Sequence, residues 1–345
     1  MTIPPSALRG LLLLLVVALL GGGMFLFIGW PRSYPKTHGV TWSVTYARYL
    51  GLDSLKGLEA TLDELGVRHF RIPAYWSELE RKEGVYDWKQ LDQELGAIQK
   101  REGSVILVVG AKQPRWPECW YPDWVKTKTK EERKQAQLAY VRAVVERYRE
   151  HGAVASWQIE NEPTFFGSFG DCALFDPAIL EEEVALVHEL DPDIAGMPAH
   201  PRLTTASGEL SSWTLPSKDL TGVGFSVYRV VVNDYFKRWS HWYLLPWFYS
   251  RKALLYPHGW VNQIFVSEFQ MEPWVTGDML TMSPDKMFHT FDLKQMKKNR
   301  RFAERIDVPV VYFWGVEWWY WMKMRHQHPE FWQVAKDLFA QEQTR

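Results

Sequence analysis

Two acidic residues stand where chemistry is expected. Glu162 closes the stretch Trp157-Gln158-Ile159-Glu160-Asn161-Glu162, and Glu268 closes Ile264-Phe265-Val266-Ser267-Glu268. Each follows a short apolar run, and polar groups directly after a buried strand are costly unless they have partners or a task. Two carboxylates flanking one bond can divide the labour of breaking it. One gives a proton to the leaving oxygen, and the other attacks the carbon. Across a glycosidic bond this is the acid and nucleophile pair of sugar cleavage. Glu272, four residues on, is a rival for the nucleophile but falls in the loop after the run. Glu160 is the rival to Glu162 and is expected to turn toward packing partners or a neighbouring strand end.

These carboxylates need a frame that brings distant positions together. Apolar runs bounded by turn signals lie at 39–44, 68–73, 105–110, 153–160, 222–228, 263–268 and 308–314. One more strand is required between the fourth and fifth, and either 194–198 or 202–205 would supply it. Helical patterns fall between the runs, at 52–65, 88–100, 130–150, 177–190, 285–306 and 328–340. In the first of these, Leu55, Leu58, Leu62 and Leu65 share one face. Eight strands alternating with helices predict a (β/α)8 barrel, an α/β fold. A doubly wound sheet is the alternative, but Ser43-Val44-Thr45-Tyr46 lacks the Gly-rich phosphate loop expected after its first strand. In a barrel the chemistry sits at the C-terminal strand ends. Glu162 and Glu268 are 106 residues apart, which is three βα units, so strands four and seven would face each other across the mouth.

Composition agrees with a folded chain that has no basic excess. Of 345 residues, 40 are Lys or Arg and 41 are Asp or Glu, giving a net charge of −1. That balance argues against a nucleic-acid partner. The count of 19 Trp, beside 15 Tyr and 18 Phe, suits stacking on sugar rings but also fills cores. Residues 10–30 carry no charged side chain, and Arg9 precedes them. At this length the stretch predicts a transmembrane segment, read as an uncleaved signal anchor over residues 1–30 with an extracytoplasmic body. A cleaved signal peptide is the alternative. Residues 31–38 would be a short tether and 39–345 a single barrel domain. In an exported body Cys119 and Cys172 are free to oxidise, though whether they pair is open.

Further strand ends carry a resemblance. Arg71 stands in Phe70-Arg71-Ile72-Pro73, Tyr228 ends the sixth strand, and Trp314 ends the last. With Asn161-Glu162-Pro163 and Glu268, these residues resemble the clan A retaining glycoside hydrolases, the superfamily of cellulases, mannanases and β-galactosidases. The resemblance runs from about Gly39 to Ala340. It implies Glu162 as acid/base and Glu268 as nucleophile. It also implies that Asn161 binds the sugar 2-hydroxyl, that Arg71 holds the nucleophile ionised, that Tyr228 contacts it, and that Trp314 forms the sugar floor. Two departures stand out. Ser226 occupies the place of a His two residues before the strand-six Tyr, and Gly110-Ala111-Lys112-Gln113 replaces a strand-three end that often carries His.

The resulting expectation is a retaining hydrolase of a β-linked oligo- or polysaccharide that needs no metal or organic cofactor. A glycan-binding protein without turnover and a transglycosylase are the alternatives. The remaining aromatics have two readings each. Trp318 either stacks on sugar or packs, Trp319 and Trp321 read as packing on the last helix, and the aromatics of 114–120 either form further subsites or pack. The stretch 239–249 reads either as a helix packed on the barrel or as a membrane-interface contact. His326 and His328 lack a third ligand for a metal, and His200 reads as structural.

Overall fold

The computed structural model describes residues 5–27, 36–165, 170–211, 217–232, 238–254 and 263–343. Eight parallel strands form a closed barrel. They are β1 (Thr37–Thr41), β2 (His69–Pro73), β3 (Ser104–Val109), β4 (Val154–Ile159), β5 (Arg202–Ser207), β6 (Gly222–Val227), β7 (Gln263–Gln270) and β8 (Val310–Trp314). Each pairs with its neighbours in sequence, and β1 closes the ring by pairing with β8 from Thr37 opposite Val310 to Thr41 opposite Trp314. The strand that the sequence left open is thus 202–207. The rival stretch forms only a small antiparallel hairpin, Asp193–Ile194 against Met197–Pro198.

The helices of nine or more residues are α1 (Pro5–Phe27), α2 (Ser54–Asp63), α3 (Lys89–Gln99), α4 (Lys130–Tyr148), α5 (Ile179–Leu190), α6 (Pro246–Leu254), α7 (Leu293–Ala303), α8 (Val316–Arg325) and α9 (Glu330–Gln343), and shorter ones span Val44–Tyr49, Trp76–Leu79 and Pro284–Phe288. In α4 the start is fixed by a capping box. Thr129 Oγ1 accepts the Glu132 N–H, and Glu132 reaches back to the Thr129 N–H. Its buried residues, Tyr140, Val141, Val144, Val145 and Tyr148, recur at helical spacing and face the strands. The single helix expected over 285–306 is two. Asp292 leaves helical geometry, with φ −105° and ψ 178°, and its carboxylate caps α7 at the Gln295 N–H.

Inside the barrel, Ile106, Leu203, Phe265 and Tyr312 pack as a small apolar cluster. Most other core residues lie between strands and helices. Cys119 and Cys172 form a disulfide that ties the loop after β3 to the segment after β4.

Residues 5–27 do form a helix, and Leu11 through Leu15, Leu19 and Leu20 are exposed on it. Among the described residues no helix is long and apolar enough to cross a membrane, so the spanning segment expected over 10–30 finds no support here. Residues 28–30 and the tether positions 31–35 lie outside the described residues.

Candidate active site

Arg71 is the hub of the barrel mouth. It is fully buried on β2. Its Nη1 donates to Glu268 Oε1 at 2.8 Å, its Nη2 to Asn161 Oδ1 at 2.6 Å and its Nε to Gln158 Oε1 at 2.6 Å. One planar guanidinium therefore joins β2, β4 and β7, which is the fork geometry that Arg offers and Lys does not. Tyr228, directly after β6, donates its hydroxyl to the other oxygen of Glu268 at 2.8 Å. Both oxygens of Glu268 thus have a donor. The register between β6 and β7 shifts between Val266 and Glu268. Such a bulge re-aims a side chain, here inside a strand that runs on to Gln270.

Glu162 lies three residues past β4. Its backbone N–H donates to Thr205 Oγ1 at 2.9 Å, and Ser226 Oγ donates to its Oε1 at 2.6 Å. Thr205 also donates to Asn161 Oδ1 at 2.9 Å. The turn is strained: Glu160 has φ 58° and Glu162 has φ 46°. Left-handed conformations at non-glycine residues cost about 1–3 kcal/mol each and persist where the surroundings impose them. Burial pushes the Glu162 carboxyl up to about 7, and the negative charge of Glu268 pushes the same way. Lys112 and the Ser226 hydroxyl pull it back. A carboxyl held near neutrality can both give and take a proton.

The two rivals have other partners. Glu160 accepts the backbone N–H of Ala111 at 2.8 Å and of Lys112 at 2.6 Å. It sits against Gly110, whose φ is 103° and where a Cβ would come within 2.4 Å of the Glu160 oxygen. Glu272 pairs with Arg115, which also donates to Glu317 at 2.8 Å.

Beside Tyr228, whose hydroxyl meets Glu268, opens a cavity of about 730 Å³, lined by aromatic rings that include Tyr46, Trp120, Trp274 and Trp314. Tyr228 and Glu118 are on its wall. Trp314 is on it too, with the Arg115 guanidinium 4.0 Å above its ring and Tyr46 also against that guanidinium, at 3.8 Å. Trp318, for which the sequence leaves both sugar stacking and packing open, packs: it is fully buried, 4.7 Å from the ring of Phe331. His200 is bonded to Asp191 at 2.7 Å, and His328 to Glu330 at 2.8 Å. The 239–249 stretch divides: Trp239–Ser240 pairs with Val230–Val231, Trp242 is exposed, and Tyr249 is buried in α6.

The structure brings Glu162, Glu268, Arg71, Asn161 and Tyr228 into one bonded network, with Trp314 at the cavity beside it. Sequence reasoning passed over Lys112, Arg115, Glu118 and Glu209. Charged residues inside the aromatic stretch Pro114-Arg115-Trp116-Pro117-Glu118-Cys119-Trp120 were the available signal for two of them. Glu209 accepts the Tyr249 hydroxyl at 2.6 Å and the Tyr228 N–H at 3.1 Å, and so fixes the tyrosine that touches Glu268.

Comparison with known proteins fits this picture. A family model described as β-galactosidase, glycoside hydrolase family 42, matches residues 58–173. The β-galactosidase BgaA of Clostridium cellulovorans is 30% identical over 119 residues, covering 29% of this chain and 18% of that protein. Among solved structures, xylanase 10B from Thermotoga maritima covers 81% of this chain and 83% of its own, at 16% identity and a TM-score of 0.51. The cold-adapted β-galactosidase from Rahnella sp. R3 covers 93% of this chain and 57% of its own, at 12% identity and a TM-score of 0.57. These two likenesses speak for the barrel alone. The matched segment holds Arg71, Asn161 and Glu162, while Glu268, Tyr228 and Trp314 fall outside it. With its matched segment and its closed eight-stranded barrel, the chain resembles the clan A glycoside hydrolases.

Proposed function

We propose that the chain is a retaining glycoside hydrolase of a β-linked glycan, with Glu162 as acid/base and Glu268 as nucleophile. The observation that carries this reading is the unequal treatment of the two carboxyls. Glu268 receives Arg71 and Tyr228, one on each oxygen. Glu162 has no cation in hydrogen-bond contact with its carboxyl among the described residues and is pushed up to about 7. The ionised Glu268 attacks the anomeric carbon as Glu162 passes its proton to the leaving oxygen. The glycosyl ester then carries no charge, so one of the forces holding the proton on Glu162 disappears. Glu162 becomes more acidic and takes a proton from the water that opens the ester. Asn161, held by Arg71 and Thr205, is the residue to meet the sugar 2-hydroxyl, and Trp314 contributes to the aromatic wall.

We read residues 39–345 as the catalytic domain. An extracytoplasmic place is supported by the Cys119–Cys172 disulfide, since such bonds persist in oxidising compartments.

The deciding experiment combines turnover of aryl β-glycosides with mass spectrometry after 2-fluoro glycoside treatment. A sugar bonded to Glu268, and near-complete loss of turnover in Glu162→Gln and Glu268→Gln, is the expected result. An adduct on Glu272 would move the nucleophile. Glycan binding without turnover or adduct would replace the hydrolase with a binding protein.

A further inference from the structure

The mechanism above leaves two buried carboxyls of the cavity unused, Glu118 and Glu272, and of these Glu272 is already paired with Arg115. Glu118 lies on the loop after β3, 9% exposed, and lines the cavity with Trp116, Trp120 and Tyr228. Its position is held from several directions. The Glu118 N–H donates to Arg115 O at 2.7 Å, and its carbonyl accepts the Gln113 N–H at 2.7 Å. Gly170 presses so closely that a Cβ there would lie 2.5 Å from the Glu118 Cβ. The next residue, Cys119, is bonded to Cys172, and the Asp171 N–H donates to Pro117 O at 2.9 Å. Glu118 itself has φ 71°. A non-glycine residue strained in this way and clamped from the far side of a disulfide is one whose side chain must point in a set direction.

Lys112 ties this side chain to the turn that carries Glu162: its Nζ is 3.6 Å from Glu118 Oε2 and donates to Asn161 O at 2.9 Å. The charges of Glu162 and Glu268 both act on Glu118. We propose that Glu118 is a substrate-contacting residue that sets specificity, its carboxyl meeting hydroxyl groups of the sugar seated over Glu162 and Glu268. Burial and the two neighbouring carboxylates hold it up to about 8 against the pull of Lys112. In its neutral form it offers one donor and further acceptor sites on one group, which suits a hydroxyl that does both. The inference rests on the hydrolase reading.

The test uses the full chain and a set of neutral aryl β-glycosides that differ at single ring hydroxyls. In Glu118→Ala, KM is expected to rise about ten-fold or more for the preferred sugar, with a smaller change in kcat. The order of preference among the sugars should also change. Glu118→Gln, which keeps the volume but fixes its donors on one side, should alter that order several-fold. A purely structural role would lower stability and scale all glycosides together. An unchanged KM and order in Glu118→Ala overturns the inference, as does an unchanged order in Glu118→Gln if the alanine variant does not fold. A wild-type chain that turns over none of the set overturns the hydrolase reading itself, and this inference with it.

Discussion

Ser226 donates a 2.6 Å hydrogen bond to Glu162 while standing opposite Glu268 in the register of β6 and β7. This one small residue therefore bonds one central carboxyl and is the strand neighbour of the other. It stands where the resemblance to clan A hydrolases leads one to expect a His, and it supplies a neutral donor instead of a titratable ring.

The hydroxyl favours the charged form of Glu162. Ser226→Ala should therefore raise the Glu162 pKa. An acid that must start protonated loses activity as pH rises through its pKa. The alkaline limb of kcat/KM, expected near 7 in the wild type, should move up by about one unit in the variant, the scale of one hydrogen bond to a charged group. A limb that does not move would separate the profile from Glu162.

Stability should respond to pH as well. Glu162, Glu209 and Glu317 are all pushed up to about 7, chiefly by burial, from an ordinary value of 4.5. A carboxyl raised in the folded state binds its proton more tightly there than in the unfolded chain. Its contribution is complete below 4.5 and is lost as pH rises through 7. Denaturant midpoints should fall between these limits, and Glu209→Gln should flatten the slope. A midpoint that rises over this range would contradict the burial account.

Arg71 should tolerate no replacement. Arg71→Leu strands Glu268 and Asn161 without their donor, and breaking a buried pair in this way costs about 3–5 kcal/mol. Arg71→Lys keeps the charge but loses the fork, so it should recover part of the stability and little of the activity. Equal loss of both properties in the two variants would show that the retained charge contributes nothing, and full recovery in Arg71→Lys would show that charge alone matters.

Gly110→Ala tests the loop after β3. The added methyl meets the Glu160 carboxylate at 2.4 Å, in a φ 103° conformation that side chains rarely adopt. A loss of at least about 1 kcal/mol in chemical denaturation is expected, with reduced activity, because Lys112 hangs from the same turn. A silent substitution would mean that the loop is softer than its bonds indicate.

The frame was legible because strand ends concentrate unlike residues. Arg71, Asn161, Glu162, Tyr228 and Glu268 each break an apolar run, and the structure brings all five together. What escaped had a physical reason. Strand β5 reads Arg-Leu-Thr-Thr-Ala-Ser and looks too polar to be buried, yet every residue of it is buried. Its hydroxyls are satisfied by partners that sequence does not show: Thr204 donates to Ile159 O and Thr205 to Asn161.

Trp318 stayed open for the opposite reason, since an aromatic after a strand looks the same whether it meets sugar or Phe331. The helix expected over 285–306 broke at Asp292, where a cap competes with continuation. Arg115 and Glu118 were hidden among tryptophans because loop geometry, not periodicity, decides where they point.

The pairing of β1 with β8 sets a condition on how activity arises. The chain emerges from Thr37 onward, yet its first strand stays without one neighbour until Val310–Trp314 is made. Arg71 likewise waits for Glu268, 197 positions later. Contacts this distant close late. During vectorial synthesis the growing chain therefore holds Glu162 before Glu268 exists. The mouth is completed only once Val310–Trp314 has been made, and a product interrupted before that strand should lack the closed barrel.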